Sequence, residues 1–179
     1  MDLIRSRRTI HQFKPGTGPD EATIRAALEQ AIWAPNHYLT QPWRFYLPGA
    51  ESKERICLLN AQLVNDKQGE RAAQIKLRRW REVPGWLVLT CSKSDDEVTM
   101  RENYASCCCV AQNLMLILWD GGIGVKWTTG AVTRSLSFYD IIGADPSREE
   151  VVGLFWYGFP AEVPGAERKS LKEILTELP

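Results

Sequence analysis

Apolar positions along the chain fall into helical and strand-like runs, and these runs assign most of the elements. Ile24, Ala27, Leu28, Ala31 and Ile32 recur at i, i+3, i+4, i+7 and i+8, the pattern of a helix with one buried face. Asp20 opens that helix, which should stop near Ala34, because the residue before Pro35 disfavours α backbone. A short helix over Asp2 to Arg8, capped by Asp2, precedes a Pro/Gly turn in "KPGTGP". "WRFYL" (43–47) reads as a strand on β propensity and "ESKERICLLNAQL" as a helix. Residues 66–82 are strongly charged and read as a solvated helix.

Further along, "GWLVLTCS" (85–92) is an apolar strand, followed by a long helix from about Met100 to Asp120. "GIGVKWTTG" (122–130) combines a glycine turn with a strand. "SLSFYDIIGA" is a short helix and "EVVGLFWYGFP" (150–160) an apolar strand. The tail "ERKSLKEILTELP" carries Leu171, Ile174, Leu175 and Leu178 on one side. Helices and strands mix without regular βαβ repetition. The expected fold is α+β, a sheet of four or five strands with helices on both faces, in one domain over 1–179.

Composition narrows the function classes. Lys+Arg and Asp+Glu both number 22, so the formal charge is zero and no global field favours nucleic acid or an anionic membrane. The stretch Tyr104 to Trp119 is apolar but shorter than the roughly 20 residues a bilayer needs, which makes it a buried central helix. Five cysteines, three of them consecutive, do not form a disulfide framework, and the N-terminus lacks a signal-peptide pattern. A reducing cytoplasm is expected. Consecutive helical residues point about 100° apart, so Cys107, Cys108 and Cys109 cannot converge on one ion. They read as small apolar packing, and no metal is expected.

Three segments carry candidate chemistry. In "RSRRTIHQF", Arg5, Arg7 and Arg8 beside Thr9 are either a cationic helix end or a phosphate site, since guanidinium forks match phosphate oxygens. "WAPNHYLTQPWRF" is either a rigid loop with Trp33 and Trp43 in the core, or a ledge for a flat heteroaromatic ligand with Asn36, His37 and Gln41 as polar contacts. In "GGIGVKWTTG", the glycines are cap and turn residues or allow backbone N–H groups to approach a ligand. "KLRRWREVPGW" reads as a solvated face in preference to a nucleic-acid patch.

Together, "SRRTIHQF", "APNHYLTQPWRF", "CCVAQNLMLILWDGGIGVKWTTGA" and "VVGLFWYGFPAE" resemble, in order and spacing, the motifs of the FMN-dependent nitroreductase family, and its small single-domain bacterial subgroup most closely. The resemblance implies a three-layer α/β/α arrangement around a mostly antiparallel sheet. It also implies an intertwined homodimer with FMN at the subunit interface, residues of both chains at each site, and NAD(P)H as electron donor. Carried onto matching positions, Arg7, Arg8 and Thr9 would hold the phosphate and ribityl chain. His37 and Gln41 would contact the cofactor, one of them from the other subunit. Trp127, Thr128 and Thr129 would line the flavin, and Arg168 or Lys169 would be the C-terminal phosphate ligand.

Trp33 stands where that subgroup often has Arg, and Thr9 replaces the usual Ser. No protein nucleophile or acid–base pair is required, because the flavin carries the chemistry. The expected activity is ping-pong reduction of nitroaromatics, quinones or similar electron-poor acceptors. The alternatives are a flavin-storing or sensing protein, or a flavoenzyme of the same fold with dehalogenating or oxidising chemistry.

Overall fold

The computed structural model describes residues 3–16 and 18–179. Leu3–Ser6 forms α1, and the cap expected at Asp2 lies outside the described residues. In α2 (Glu21–Ala31), the Asp20 carboxylate accepts from the Thr23 N–H at 2.7 Å, which satisfies a free amide of the first turn. That bond holds the Asp20 carboxyl below its ordinary value. The charged region after β1 (Trp43–Tyr46) divides into α3 (Ala50–Gln68) and α4 (Glu70–Arg81). Gly69 separates them at φ 83°, a left-handed backbone that only glycine adopts at no steric cost.

β2 (Gly85–Ser92), β3 (Gly124–Thr128) and β4 (Glu149–Gly158) complete a four-stranded sheet in the order β1-β2-β4-β3, antiparallel at every pairing. Helix α2 and the long α5 (Glu97–Asp120) cover one face, packing Ile24, Ala27, Val110 and Leu114 onto Leu87, Leu89 and Phe155. Helices α3, α4 and α6 (Leu136–Ile142) cover the other. There Trp80 lies edge-on to Trp156 and Trp86, with ring centroids 4.9 Å and 5.6 Å away. The α+β three-layer expectation holds.

The start of β4 is tied through a buried carboxylate to β2, its neighbour, and to β1 beyond it. Glu149 accepts from the Tyr46 hydroxyl at 2.8 Å and from the Thr90 hydroxyl, with the Arg44 guanidinium 3.7 Å away. Cys57, Cys91 and Cys107 are fully buried, and burial pushes the Cys57 thiol up to about 11. These thiols behave as small apolar residues. Among the described residues no His, Cys, Asp and Glu cluster could hold a metal ion, and no helix is long and apolar enough to cross a membrane. The tail forms only one turn, Leu171–Glu173, and Leu171, Ile174, Leu175 and Leu178 are each more than half exposed. Its apolar side is left uncovered by the described residues.

Candidate functional site

The N-terminal segment is built into the sheet edge, and this fixes where its arginines stand. Thr9 bridges in parallel to Val125, the Ile10 N–H donates to the Val125 carbonyl at 3.1 Å, and Phe13 bridges to Pro160. Ile10 is fully buried against Gly124, where an added Cβ would come within 2.3 Å of Ile10 Cγ1. Glycine at 124 is therefore what lets the segment dock. Gly124→Ala should lower stability by about 1–3 kcal/mol through overpacking. The readout is a lower denaturation midpoint at unchanged slope.

Docked in this way, Arg7 and Arg8 leave the end of α1 and meet Arg168 from the C-terminal segment. Burial, with Arg168 and Arg8 nearby, holds the Arg7 guanidinium below its ordinary value. Among the described residues no carboxylate pairs with Arg7, Arg8 or Arg168. Arg8 also ties the backbone together, since its Nε donates to the Pro164 carbonyl at 3.1 Å and its guanidinium donates to the Arg5 carbonyl at 2.6 Å. Arg168 donates only to the neighbouring Glu167 carbonyl, at 2.7 Å. Lys169 is exposed and makes no described contact. Of the two C-terminal candidates, Arg168 is the one brought to Arg7.

The same segment continues into a cavity of about 460 Å³, lined by His11, Lys76, Arg79, Lys126, Trp80 and Trp156 among others, with Glu82 as its one acid. From Arg7 to His11 an extended chain covers about 13 Å. Lys126 Nζ stands 4.7 Å from the Trp156 ring, and burial together with Lys76 lowers its proton affinity. The buried Trp156 indole N–H has no hydrogen-bond partner, and an orphaned buried donor is uncommon. Residues 66–82 read as a solvated face, and Lys76 and Arg79 of α4 are exposed as that reading expects while also bordering this cavity. Trp80 carried the signal, since with Ala73 and Leu77 it defines a buried stripe at i, i+4 and i+7 that brings its cationic neighbours down to the sheet.

Trp127 follows Lys126 on β3 and so points to the opposite face of the sheet. Its indole N–H donates to the Val152 carbonyl at 3.0 Å and its ring lies 5.1 Å from Phe155. The Trp127 side chain is thus committed to packing, which leaves its backbone for any ligand. Thr128 ends the strand opposite Leu154, and Thr129 is exposed, its carbonyl accepting from Arg134 at 3.2 Å.

The loop after α2 is held in a strained shape. Tyr38, Leu39 and Gln41 have φ of 53°, 52° and 44°, uncommon for residues with side chains. Asn36 Oδ1 accepts the Gln41 N–H at 2.7 Å, Asn36 Nδ2 donates to Thr40 Oγ1 at 3.1 Å, and Thr40 donates to Asn103 Oδ1 at 2.8 Å. His37 Nδ1 lies 2.7 Å from Glu102 Oε2. The alternative in which Trp33 packs in the core fails, since Trp33 is 88 % exposed, and Tyr38 is 86 % exposed. Trp43 is partly buried against the core.

His37 and Gln41 are not brought to Arg7. Their loop is anchored on Glu102 and Asn103, near the start of α5, whereas Trp119 near its end donates to Ser6 of α1 at 3.0 Å. At about 1.5 Å rise per residue those anchor points are about 25 Å apart. Neither Glu102 nor Asn103 was singled out from sequence, since no local pattern links residue 37 to residue 102.

The Nitroreductase family model matches residues 4–159. The chain is 29% identical to the protein of Bacillus subtilis (strain 168) named "Putative NAD(P)H nitroreductase YfhC", over 99% of this chain and 93% of that one. A crystal structure of a nitroreductase-like family protein from Bacillus cereus superposes with a TM-score of 0.86 at 25% identity, covering 99% and 94% of the two chains. The FMN and NADPH-dependent nitroreductase NfnB from sphigopyxis sp. strain HMH superposes at 0.79 with 16% identity, covering 99% and 98%, and shares the fold.

Proposed function

The chain belongs to the nitroreductase family, and from that premise we propose that it is an FMN-dependent NAD(P)H oxidoreductase acting on nitroaromatics, quinones or similar electron-poor acceptors. One observation carries the reading most of the way. Three arginines with no acid partner among the described residues stand at the head of a segment that runs into a cationic cavity with an aromatic floor. The residues present suit FMN at both ends. Arg7, Arg8 and Arg168, with the Thr9 hydroxyl, suit a phosphate of up to two charges. The cavity volume falls within the range of small-molecule sites, and its walls offer flat apolar surface with a few polar groups.

FMN bound there would supply the redox chemistry, taking a hydride from NAD(P)H and passing electrons to the acceptor in a second half-reaction. The chain's own part is electrostatic and positional. Lys76, Arg79 and Lys126 bring positive charge to the ring's end of the cavity and favour uptake of electrons there. Thr128 and Thr129 offer backbone groups at the end of β3.

The site also needs a second copy of the chain. His37 and Gln41 lie about 25 Å from the arginine cluster along α5, too far to touch the same ligand. Two chains packed with their α5 helices antiparallel would bring the loop of each to the flavin site of the other. The exposed Trp33, Tyr38 and tail leucines then gain a surface to cover. In this homodimer each flavin is held by both subunits.

The first test is spectroscopic. The purified protein should be yellow, release FMN identifiable by mass, and bleach on anaerobic addition of NAD(P)H. Colour should return when a nitroaromatic or quinone is added. A yellow protein that no nicotinamide bleaches would leave flavin storage or sensing as the better reading. A colourless protein that takes up no FMN would reject the reading altogether.

A further inference from the structure

His37 and Glu102 make a contact that cofactor binding by His37 does not by itself require. We propose that Glu102 is a positioning residue that fixes His37 as a hydrogen-bond acceptor, so that Nε2 receives a donor group of the bound flavin, an N–H or a hydroxyl. This rests on the flavin reading above and specifies its chemistry at one atom.

An ionised carboxylate can only accept hydrogen bonds, so with Nδ1 2.7 Å from Glu102 Oε2 the ring proton sits on Nδ1. In the neutral imidazole the other nitrogen, Nε2, then carries a lone pair and no proton. A ligand oxygen that only accepts, such as a ring carbonyl or a phosphate, finds no donor there. A ring imide N–H or a ribityl hydroxyl finds an acceptor.

The orientation of the ring is fixed from several sides. The Tyr38 ring stacks on His37 with centroids 4.0 Å apart and planes 17° from parallel. Tyr38 and Leu39 hold left-handed backbone, and the Asn36–Thr40–Asn103 relay secures the loop to the helix that carries Glu102. Backbone strain of this kind persists only where the surroundings over-determine it. The His37 side chain is still 54 % exposed, so its free edge is open to a group from outside its own chain.

His11 is the only other histidine, so ¹⁵N NMR of the labelled apo dimer, with His11→Gln to assign the signals, reads the tautomer directly. In the neutral ring, His37 should be protonated at Nδ1 and bare at Nε2. Glu102→Ala should move the proton to Nε2. Alanine is the best helix former, so the variant keeps α5.

The ligand half is tested by titrating apo protein with FMN, N3-methyl-FMN and a 2′-deoxyribityl analogue. A loss of about tenfold for the N3-methyl compound identifies the imide as the donor, and the same loss for the deoxy compound identifies the hydroxyl. Either loss should disappear in Glu102→Ala. Nε2 protonation in a yellow wild-type protein overturns this inference alone, as does equal affinity for all three compounds. A protein with the Nδ1 tautomer that binds no FMN rejects the flavin reading, and the ligand half falls with it.

Discussion

Arg7→Ala combined with Arg168→Ala should lower FMN affinity by about a hundredfold or more and leave the unfolding midpoint almost unchanged. Charge-assisted hydrogen bonds to a phosphate are worth about 1.5–3 kcal/mol each, and tenfold corresponds to about 1.4 kcal/mol. The fold should not suffer, because neither guanidinium makes an ion pair, and removing both relieves the repulsion that lowers the Arg7 proton affinity. Arg8→Ala should behave differently. Its guanidinium ties Pro164 and Arg5 carbonyls to the end of α1, so stability should fall together with affinity. FMN titration followed by denaturation of each apo variant separates the two kinds of arginine. Unchanged affinity in the Arg7/Arg168 double variant would remove the phosphate assignment.

Mixing two inactive variants should restore flavin binding. One carries Arg7→Ala and Arg168→Ala; the other carries His37→Ala and Gln41→Ala. If each site joins the arginines of one subunit to the loop of the other, a heterodimer contains one site with all four changes and one with none. Co-expression with two different tags, followed by purification through both, should give about one FMN per dimer, against almost none for either parent homodimer. The source of this expectation is the length of α5, which keeps the loop anchored at Glu102 away from the α1 contact at Trp119. A doubly tagged heterodimer without flavin would place the whole site within one chain. Sedimentation of a flavin-loaded monomer would reject the shared site outright.

Much of the architecture was legible because its causes are local. Asp20 caps α2 through an amide three residues on. The apolar run 85–92 is β2 at the boundaries its composition suggests, whereas the helix read over 66–82 is broken at Gly69, where the backbone takes positive φ. The arginines at 7 and 8 stood out because clustered guanidiniums suit phosphate. The partial misreadings came where position relative to the sheet decides the outcome. Trp127 looked like a ligand-lining aromatic, yet strand alternation turns its ring to the α5 side, against Phe155. One of the two readings of the loop after α2 put Trp33 in the core, and it is open to solvent.

The sequence by itself determined the element order, the α+β class, the family motifs and the types of residue that could hold a phosphate and a flat ring. These depend on periodicity, capping and side-chain chemistry, which act over a few residues. Only the tertiary structure decided which of those residues meet. Docking of residues 9–13 beside β3 joins residue 7 to residue 168 and residue 11 to residues 76 and 126. The span of α5 keeps residue 37 apart from them and sets it beside residue 102. Such pairings are fixed by sheet register and helix length, quantities that no short window of sequence contains.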